Sequence, residues 1–457
     1  MSDSLHDKIT ALCRDALDQS AAAPEALRAP VATALSALND PRWRVLFSGL
    51  CSAGKSSFVC SLWGDSELLP TAVRDCTQTN TMARKPAAGE RDREIRLSYL
   101  SREKAVDFAS RDLACYRLTE LLRERETTIL GLLDELPAEE RLRKTVELVR
   151  KLFRDHPDQL VLHEPLTEEL EKLEQFLAFI DSSEYRAGET IAADWKDRRE
   201  LLMGRRHPDG RTFDTGKLLA LRHVEMVRDT SAWPSAEETP QLIDSPWIPT
   251  FHNARRADLI IEQARESDIL VIVALPQKFE LEPWVRQFYR THPELAARTV
   301  VVFNQIDTID TSSLFSREGF YAAFEENRER LIKDGIRVEN LLLACARLPF
   351  LEGLRPDPQI SERIERLKKV LQRVAKAADG RPENDFVRKL RRAADPSDAG
   401  VKTLRQHLLQ MSKGSIKRAR MEQALKALDE LLGHMGESAS ALRSRAMGLE
   451  MSLKLAK

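Results

Sequence analysis

The stretch WRVLFSGLCSAGKSSFVCSLW, residues 43–63, decides the fold. Its first part, 43–48, is largely apolar and predicts a β-strand, and its last part, 55–63, predicts a helix. Between them, residues 49–56 have the pattern Gly-x-x-x-x-Gly-Lys-Ser of a phosphate-binding loop. A strand, a glycine loop and a helix in this order predict the first unit of an α/β domain that binds a nucleoside triphosphate.

Each part of this loop has a physical role. Gly49 and Gly54 permit backbone angles that a β-carbon would block. Successive N–H groups can surround phosphate oxygens, aided by the start of the next helix. Lys55 would reach the β- and γ-phosphates, and the Ser56 hydroxyl would bind Mg²⁺. The predicted nucleotide contacts in the loop are Gly49, Cys51, Ser52, Ala53, Gly54, Lys55, Ser56 and Ser57.

Two later stretches, 269–275 and 300–303, are continuously apolar. Such runs are typical of strands buried on both faces, as in a parallel sheet covered by helices. Further strands are predicted at 94–100, 219–227, 241–243 and 341–345, and apolar residues at helical spacing predict helices at 4–17, 24–38 and beyond 360. The sequence therefore predicts an α/β domain with a phosphate-binding loop and a mostly parallel sheet, joined to helical parts.

The predicted domain boundaries follow these patterns. Residues 41–102 and 201–358 form the P-loop domain, interrupted by a helical insertion at 103–200 with apolar stripes and three prolines. Residues 1–40 form N-terminal helices that pack with a C-terminal helical bundle at 359–457.

Composition limits the class of protein. The chain has 457 residues, is 42% apolar and 31% charged, and carries a net charge of −1. No apolar run approaches the roughly 18–20 residues of a membrane-spanning helix, and the N-terminus lacks the apolar core of a secretion signal. The six cysteines and nine histidines show no zinc spacing. We expect a cytoplasmic, helix-rich protein, with peripheral membrane contact as an open alternative.

Charge is unevenly distributed, because residues 361–457 carry 22 basic against 12 acidic side chains. Such an excess favours anionic lipid, nucleic acid or an acidic partner, or it forms a solvated helical surface. Phe386 is the only aromatic residue beyond 360, whereas binding of single-stranded nucleic acid relies on aromatic stacking. Nucleic acid is therefore not an expected partner.

Residues in the order that a GTPase requires follow the loop. Thr77 is the candidate switch threonine, although Thr71, Thr79 and Thr81 lie in the same polar stretch. Asp244 ends a predicted strand, where a carboxylate can hold Mg²⁺ through water. The predicted metal ligands are thus Ser56, Thr77 and Asp244.

Asn304-Gln305-Ile306-Asp307 follows a buried strand and is the candidate base-reading motif. Asp307 would accept two N–H groups of guanine, a pair that adenine cannot supply. Asn304 would tie the base loop to the phosphate loop, and the Gln305 stem would stack partly on the base. Ala346 would donate its backbone N–H to the base oxygen. A plain turn at a strand end is the alternative interpretation.

Together these residues resemble a bacterial dynamin-like large GTPase. The resemblance rests on the loop, on Leu68-Leu69-Pro70-Thr71, on Cys76-Thr77, on Asp244-Ser245-Pro246 and on Asn304–Asp307. It is specific over 41–90 and 240–350, and Gly400 to Met435 is similar to the helices after such G domains. The insertion at 103–200 is atypical and the C-terminal helical region is short.

The resemblance implies that the α/β domain at 41–102 and 201–358 is a P-loop GTPase (G) domain, with Mg²⁺ as cofactor, GTP as substrate and GDP as product. Lys55, Ser52 and Thr77 are its implied catalytic residues, with Ser52 compensating charge beside the phosphates. It also implies a homodimer or hetero-oligomer through the G domain, and a membrane or a related dynamin-like subunit as a further partner.

Three departures from the family pattern affect the chemistry. Cys51 stands where a glutamine can order the attacking water, Trp247 stands where glycine is usual, and Gln305 replaces a lysine. We therefore expect slow or assembly-dependent hydrolysis that couples the nucleotide state to self-assembly or to partner or membrane binding. A GTP-binding pseudo-GTPase acting as a regulator or scaffold is the first alternative, and an ATPase of another P-loop class is the second.

Overall fold

The structure is a computed structural model that describes most of the chain. The described residues are 4–40, 42–49, 52–69, 79–125, 133, 135–156, 164–203, 205–206, 213–214, 216–235, 238–245, 263–276, 293–348, 358–377 and 384–455. The chain forms two compact units. Unit 1 comprises Met1–Arg44, Ser235–Pro240 and Arg405–Lys457, and unit 2 comprises Val45–Pro234 and Gln241–Leu404.

Unit 1 is a helical bundle that joins both ends of the chain. Its long helices are α1 (Leu5–Gln19), α2 (Glu25–Asn39), α14 (Lys417–Met435) and α15 (Ser440–Leu455). Apolar side chains of all four share one buried core, in which Ile9 and Leu428 are fully covered. Arg420 donates to the carbonyls of Ala37, Asp40 and Arg42, so it caps carbonyl groups at the end of α2. Helices from both ends of the chain are thus joined in one core.

Unit 2 is built on a nine-stranded sheet. Its strands are β1 (Arg44–Gly49), β2 (Thr81–Arg84), β3 (Glu94–Tyr99), β4 (Thr190–Asp194), β7 (Leu221–Val227), β8 (Gln241–Asp244), β9 (Ile269–Ala274), β10 (Thr299–Phe303) and β11 (Leu341–Leu343). A separate two-stranded ribbon consists of β5 (Arg205–Arg206) and β6 (Phe213–Asp214).

The strand order in the sheet is β11-β10-β9-β1-β8-β2-β7-β3-β4. β1, β9, β10 and β11 pair in parallel, with Val45 opposite Ile269 and Thr299 opposite Leu270. Every residue of β9 and β10 is buried, as the continuous apolar runs predict. The opposite side of the sheet is mixed, because β2 pairs antiparallel with β8, and β3 pairs antiparallel with both β7 and β4. The predicted α/β fold with a mostly parallel sheet is confirmed.

The helices of unit 2 lie before, between and after these strands. They are α3 (Lys55–Trp63), α4 (Arg102–Ser110), α5 (Leu113–Arg125), α6 (Ala138–Asp155), α7 (Glu164–Ile180), α8 (Arg198–Met203), α9 (Pro293–Ala296), α10 (Phe320–Lys333), α11 (Pro358–Ala377) and α12 (Asp385–Ala393); α13 (Val401–Met411) continues from unit 2 into unit 1. Among the described residues, no helix is both long and apolar enough to span a membrane.

The predicted insertion contains α4 to α7, whose apolar side chains form a core that also includes Leu219 and Ala220. Leu118, Leu142, Leu173 and Phe176 are fully buried in it, so the apolar stripes in the sequence serve packing. One part of the prediction is wrong: 190–194, inside the range predicted to be helical, form β4 at the edge of the sheet. A second difference concerns the C-terminal boundary, because the compact unit containing the bundle starts at Arg405 and not at 359.

Candidate nucleotide-binding site

Several strands end at one edge of the sheet. Since β1, β9, β10 and β11 are parallel, their carboxyl ends meet there, the usual position of a ligand in an open α/β sheet. β8 lies beside β1 and brings its last residue, Asp244, to the same place, where the next N–H, of Ser245, donates to Phe47 O at 3.1 Å. The candidate residues identified by sequence therefore converge from four separate segments.

The two glycines that bound the loop after β1 have the backbone angles expected of them. Gly49 has φ +141°, and a β-carbon there would lie 2.2 Å from Val273 O. Gly54 has φ +92°, and a β-carbon there would lie 2.4 Å from Asn304 Nδ2. Ser52 is left-handed as well, with φ 58°. These angles turn the chain into α3, whose first N–H groups can hold an anion.

Lys55 lies at the first position of α3 and is 7% exposed. Its Nζ donates to the carbonyl of Gly49 at 3.2 Å. The ammonium is thus held within the loop, close to where phosphate oxygens would sit against the N-terminus of α3. A buried lysine in this position offers a compact charge for phosphate.

Ser56 and Asp244 are directly bonded. Ser56 Oγ donates to Asp244 Oδ2 at 2.6 Å, and the aspartate is 1% exposed. The predicted metal ligands from the loop and from β8 are therefore adjacent. A hydroxyl and a carboxylate are hard oxygen ligands that suit Mg²⁺, which binds few protein ligands and completes its shell with water and phosphate. Among the described residues, no group of three or more His, Cys, Asp or Glu side chains is arranged for a metal.

Asn304 links two loops. Its Nδ2 donates to Ala53 O at 2.7 Å, and its Oδ1 accepts from the N–H of Ala346 at 2.9 Å. The side chain is 2% exposed, so both bonds are shielded from water. The predicted tie between the base loop and the phosphate loop is present, and it extends to the loop after β11.

Gln305 provides a second tie. Its backbone is left-handed, with φ 61°, and its Nε2 donates to Ser52 O at 2.6 Å. The side chain thus spans from the end of β10 to the phosphate loop. In this structure the side-chain amide of Gln305 joins the two loops by this hydrogen bond. The aliphatic stem of the side chain is the part that remains available to contact a base.

Ala346 differs from the prediction made for it. Its N–H was expected to meet a base oxygen, but in this structure it donates to Asn304 Oδ1. The reason is local: the buried Asn304 oxygen needs a donor, and the N–H of Ala346 is the one that reaches it. Ala346 O in turn accepts from Ser61 Oγ at 2.6 Å, which fastens this loop to α3.

Asp307 lies in the short helical turn after β10 and is 9% exposed. Cys345 Sγ donates to its Oδ1 at 3.4 Å, and an Arg363 guanidinium nitrogen lies 3.7 Å from its Oδ2. Burial, and then the charge of Asp307, raise the pKa of the Cys345 thiol, which therefore stays protonated as a donor. Sequence reasoning missed Arg363, because an arginine on the polar side of an amphipathic helix gives no signal of its own.

Some predicted residues cannot be placed. Cys51, Thr77 and Trp247 lie outside the described residues. Ser57 is described and is buried in the first turn of α3. The remaining predicted residues lie along one connected set of loops: Gly49, Ser52, Ala53, Gly54, Lys55, Ser56, Asp244, Asn304, Gln305, Asp307 and Ala346.

Comparison with known proteins gives a distant match in structure only. No protein-family model matches the sequence, and no curated protein matches it. Two solved structures of an oligomerised bacterial dynamin pair, described as a mechanism for long-range sensing and tethering of membranes, are similar to this chain. One has 11% identity and a TM-score of 0.41, the other 12% and 0.45, and each match covers 98% of this chain. The chain spans 58% of the length of those structures.

Proposed function

We propose that this protein binds GTP with Mg²⁺ and hydrolyses it to GDP and phosphate. The observation that carries the proposal is the bond between Ser56 and Asp244, at 2.6 Å. It joins the hydroxyl of a complete phosphate-loop pattern to a buried carboxylate at the end of a neighbouring strand. Phosphate-loop enzymes hold Mg²⁺ with these two residue types. Asp307, at the end of the next loop, supports guanine as the base.

The residues of this chain have separate tasks in the proposed reaction. The N–H groups from Ser52 to Ser56 would hold the phosphates, and Lys55 would compensate the negative charge that develops on them. Mg²⁺ held by Ser56 and, through water, by Asp244 would add a Lewis acid at the phosphates. Asn304 and Gln305 would keep the base loop in register with the phosphate loop, so that the triphosphate and the base are positioned together.

The proposal includes coupling of the nucleotide state to self-assembly, or to a partner or membrane. It rests on the resemblance to dynamin-like GTPases and on one surface feature of unit 1. Met447, Met451 and Leu455 of α15 are 61%, 64% and 83% exposed. Their spacing of four residues places them on one helical face, and exposed apolar faces of this kind commonly bind partners.

A GTP-binding pseudo-GTPase remains the alternative, because Cys51 and Trp247 depart from the family pattern at positions that act on the attacking water and the γ-phosphate. The two functions differ in one measurement. Purified protein incubated with GTP and Mg²⁺ over a range of protein concentrations releases phosphate if it is a GTPase. Stoichiometric GTP binding without turnover at every concentration identifies the alternative.

The experiment that tests the proposal compares Lys55→Ala with Lys172→Ala. Lys172 also forms a contact with a buried group, Asp112, at 3.1 Å, but it lies in the insertion. We expect Lys55→Ala to lose GTP binding and phosphate release while Lys172→Ala retains both. Equal turnover in Lys55→Ala and the unmodified protein would contradict the proposed function.

A further inference from the structure

Arg363 approaches the carboxylate that is expected to read the base. It lies near the start of α11, a helix that packs against the turn Ile306–Thr308. Its guanidinium is 3.7 Å from Asp307 Oδ2, and its side chain is 45% exposed while that of Asp307 is 9% exposed. Asp307 is therefore buried in the candidate site, whereas Arg363 extends to it from the protein surface.

The position of α11 is set by its buried side. Three apolar side chains of α11 are 1–2% exposed: Ile364, Leu367 and Leu371. Their burial holds the helix against the rest of unit 2. The neighbouring charged residues bond within the helix, since Arg366 pairs with Glu362 and Lys368 pairs with Glu365. Arg363 differs from these residues of α11, because its side chain forms an ion pair with Asp307 in the base loop.

Guanine recognition makes a competing demand on the same carboxylate. The base would present N1–H and an exocyclic N–H, and each needs one oxygen of Asp307 as acceptor. In this structure Oδ1 accepts from the Cys345 thiol and Oδ2 faces Arg363. A thiol is a weak donor that a base N–H readily displaces. The guanidinium is charged, so it is the stronger competitor.

We propose that Arg363 sets the affinity for guanine nucleotides by competing with the base for Asp307. This inference rests on the proposed function. The distance of 3.7 Å is longer than a hydrogen bond, and the arginine is about half exposed. Such pairs are weak in water, so Arg363 lowers affinity without preventing binding. It leaves the carboxylate when the base enters and returns when the base leaves.

The test measures GDP affinity of Arg363→Ala and of Arg366→Ala by titration calorimetry. Arg366 lies on the same helix and forms its ion pair with Glu362, within that helix. We expect Arg363→Ala to bind GDP about two- to fivefold more tightly, the range of a half-exposed ion pair, and Arg366→Ala to bind like the unmodified protein. Arg363→Lys, which keeps the charge, should show a smaller gain than Arg363→Ala.

An Asp307→Asn background separates competition from a general effect on the fold. Asparagine has no charge for Arg363 to pair with, so adding Arg363→Ala should leave the affinity for xanthosine diphosphate unchanged. Equal or weaker GDP binding in Arg363→Ala, with folding intact by circular dichroism, would overturn the inference while leaving the proposed function standing. If neither the unmodified protein nor the variant binds GDP, the proposed function itself fails.

Discussion

The hydroxyl of Ser56 donates a hydrogen bond to Asp244 Oδ2 at 2.6 Å, across 188 positions of sequence. The serine lies in the first turn of α3, after β1, and the aspartate ends β8, the strand beside β1 in the sheet. Neither residue is informative alone, since serines and aspartates are common at helix starts and strand ends. Their contact brings the residues of two separate sequence hypotheses next to each other.

Ser56→Ala should weaken Mg²⁺-dependent nucleotide binding by about ten- to hundredfold, the range of one hydrogen bond or ligand to a charged group. Isothermal titration with GTP, with and without Mg²⁺, measures this effect. Ser267→Ala is the control, because the Ser267 hydroxyl also donates a hydrogen bond, to Gln263 O at 2.7 Å, and the residue lies outside the candidate site. A similar loss of affinity in both variants would show that Ser56 acts through folding alone.

Asn304→Ala should lower both stability and affinity. It leaves Ala53 O and the N–H of Ala346 without their bonds in a buried place, at a cost of about 2–4 kcal/mol in the free energy of unfolding. Asn340→Ala removes another amide that is 2% exposed and bonds Thr299 O at 2.7 Å. Urea unfolding should show losses in both variants, whereas nucleotide affinity should fall only for Asn304→Ala.

Asp307→Asn distinguishes a guanine site from an adenine site. An asparagine offers one acceptor and one donor, which matches the two-position oxygen of xanthine and not the exocyclic amine of guanine. We expect the preference to move from GTP to xanthosine triphosphate, measured by competition with a fluorescent nucleotide. An ATPase would keep its ATP affinity and show no such change, and that result would remove guanine from the proposal.

Gly54→Ala should be more harmful than an alanine at another left-handed glycine. Gly54 has φ +92° and its added β-carbon would meet Asn304 Nδ2 at 2.4 Å, while Gly89 has φ +85° and open space around it. Both variants bear the left-handed backbone cost of about 1–2 kcal/mol. Only Gly54→Ala also displaces Asn304, so only it should lose nucleotide binding. Comparable unfolding midpoints and unchanged binding would contradict the predicted clash.

Acid should destabilise unit 2 through Glu90. Its hydrogen bonds with Arg84 hold the pKa of this carboxyl at about 2, below the usual 4.5. Since the folded pKa is depressed, the contribution is present above about pH 4.5 and is lost as the pH falls toward 2. The unfolding free energy of Glu90→Gln should therefore vary less between pH 5 and about pH 3 than that of the unmodified protein. Parallel curves for both proteins would exclude this role.

The parallel core of the sheet could be predicted because its strands are buried on both faces. The runs at 269–275 and 300–303 contain no polar residue that would interrupt the apolar pattern. In the structure, every residue of β9 and β10 is buried. β2 has only four residues, and β4 has no buried residue. Strands this short or exposed lack the periodic pattern on which sequence prediction depends, so both were missed.

The residue types of the candidate site could also be predicted, together with the tie that Asn304 makes to the phosphate loop, but most of their mutual bonds could not. The pattern at 49–56 indicated Ser56 as a metal ligand, yet only the sheet order places β8 beside β1. The N–H of Ala346 was assigned to a base oxygen because sequence cannot show that Asn304 already accepts it. Arg363 depends on the packing of a helix more than fifty residues after Asp307, which no local motif encodes.

The order of strands also matters while the chain is being made. Val45 of β1 pairs with Ile269 of β9, which lies more than two hundred residues later in the chain. At synthesis rates of about 5–20 residues per second, the ribosome needs roughly 10 to 45 s to add the intervening residues. During that time the edge of β1 that will pair with β9 has no partner strand. The residues of β1 include the apolar Val45, Leu46 and Phe47. A partly synthesised chain therefore exposes an unpaired apolar strand edge until β9 has been made, and exposed edges of this kind favour aggregation.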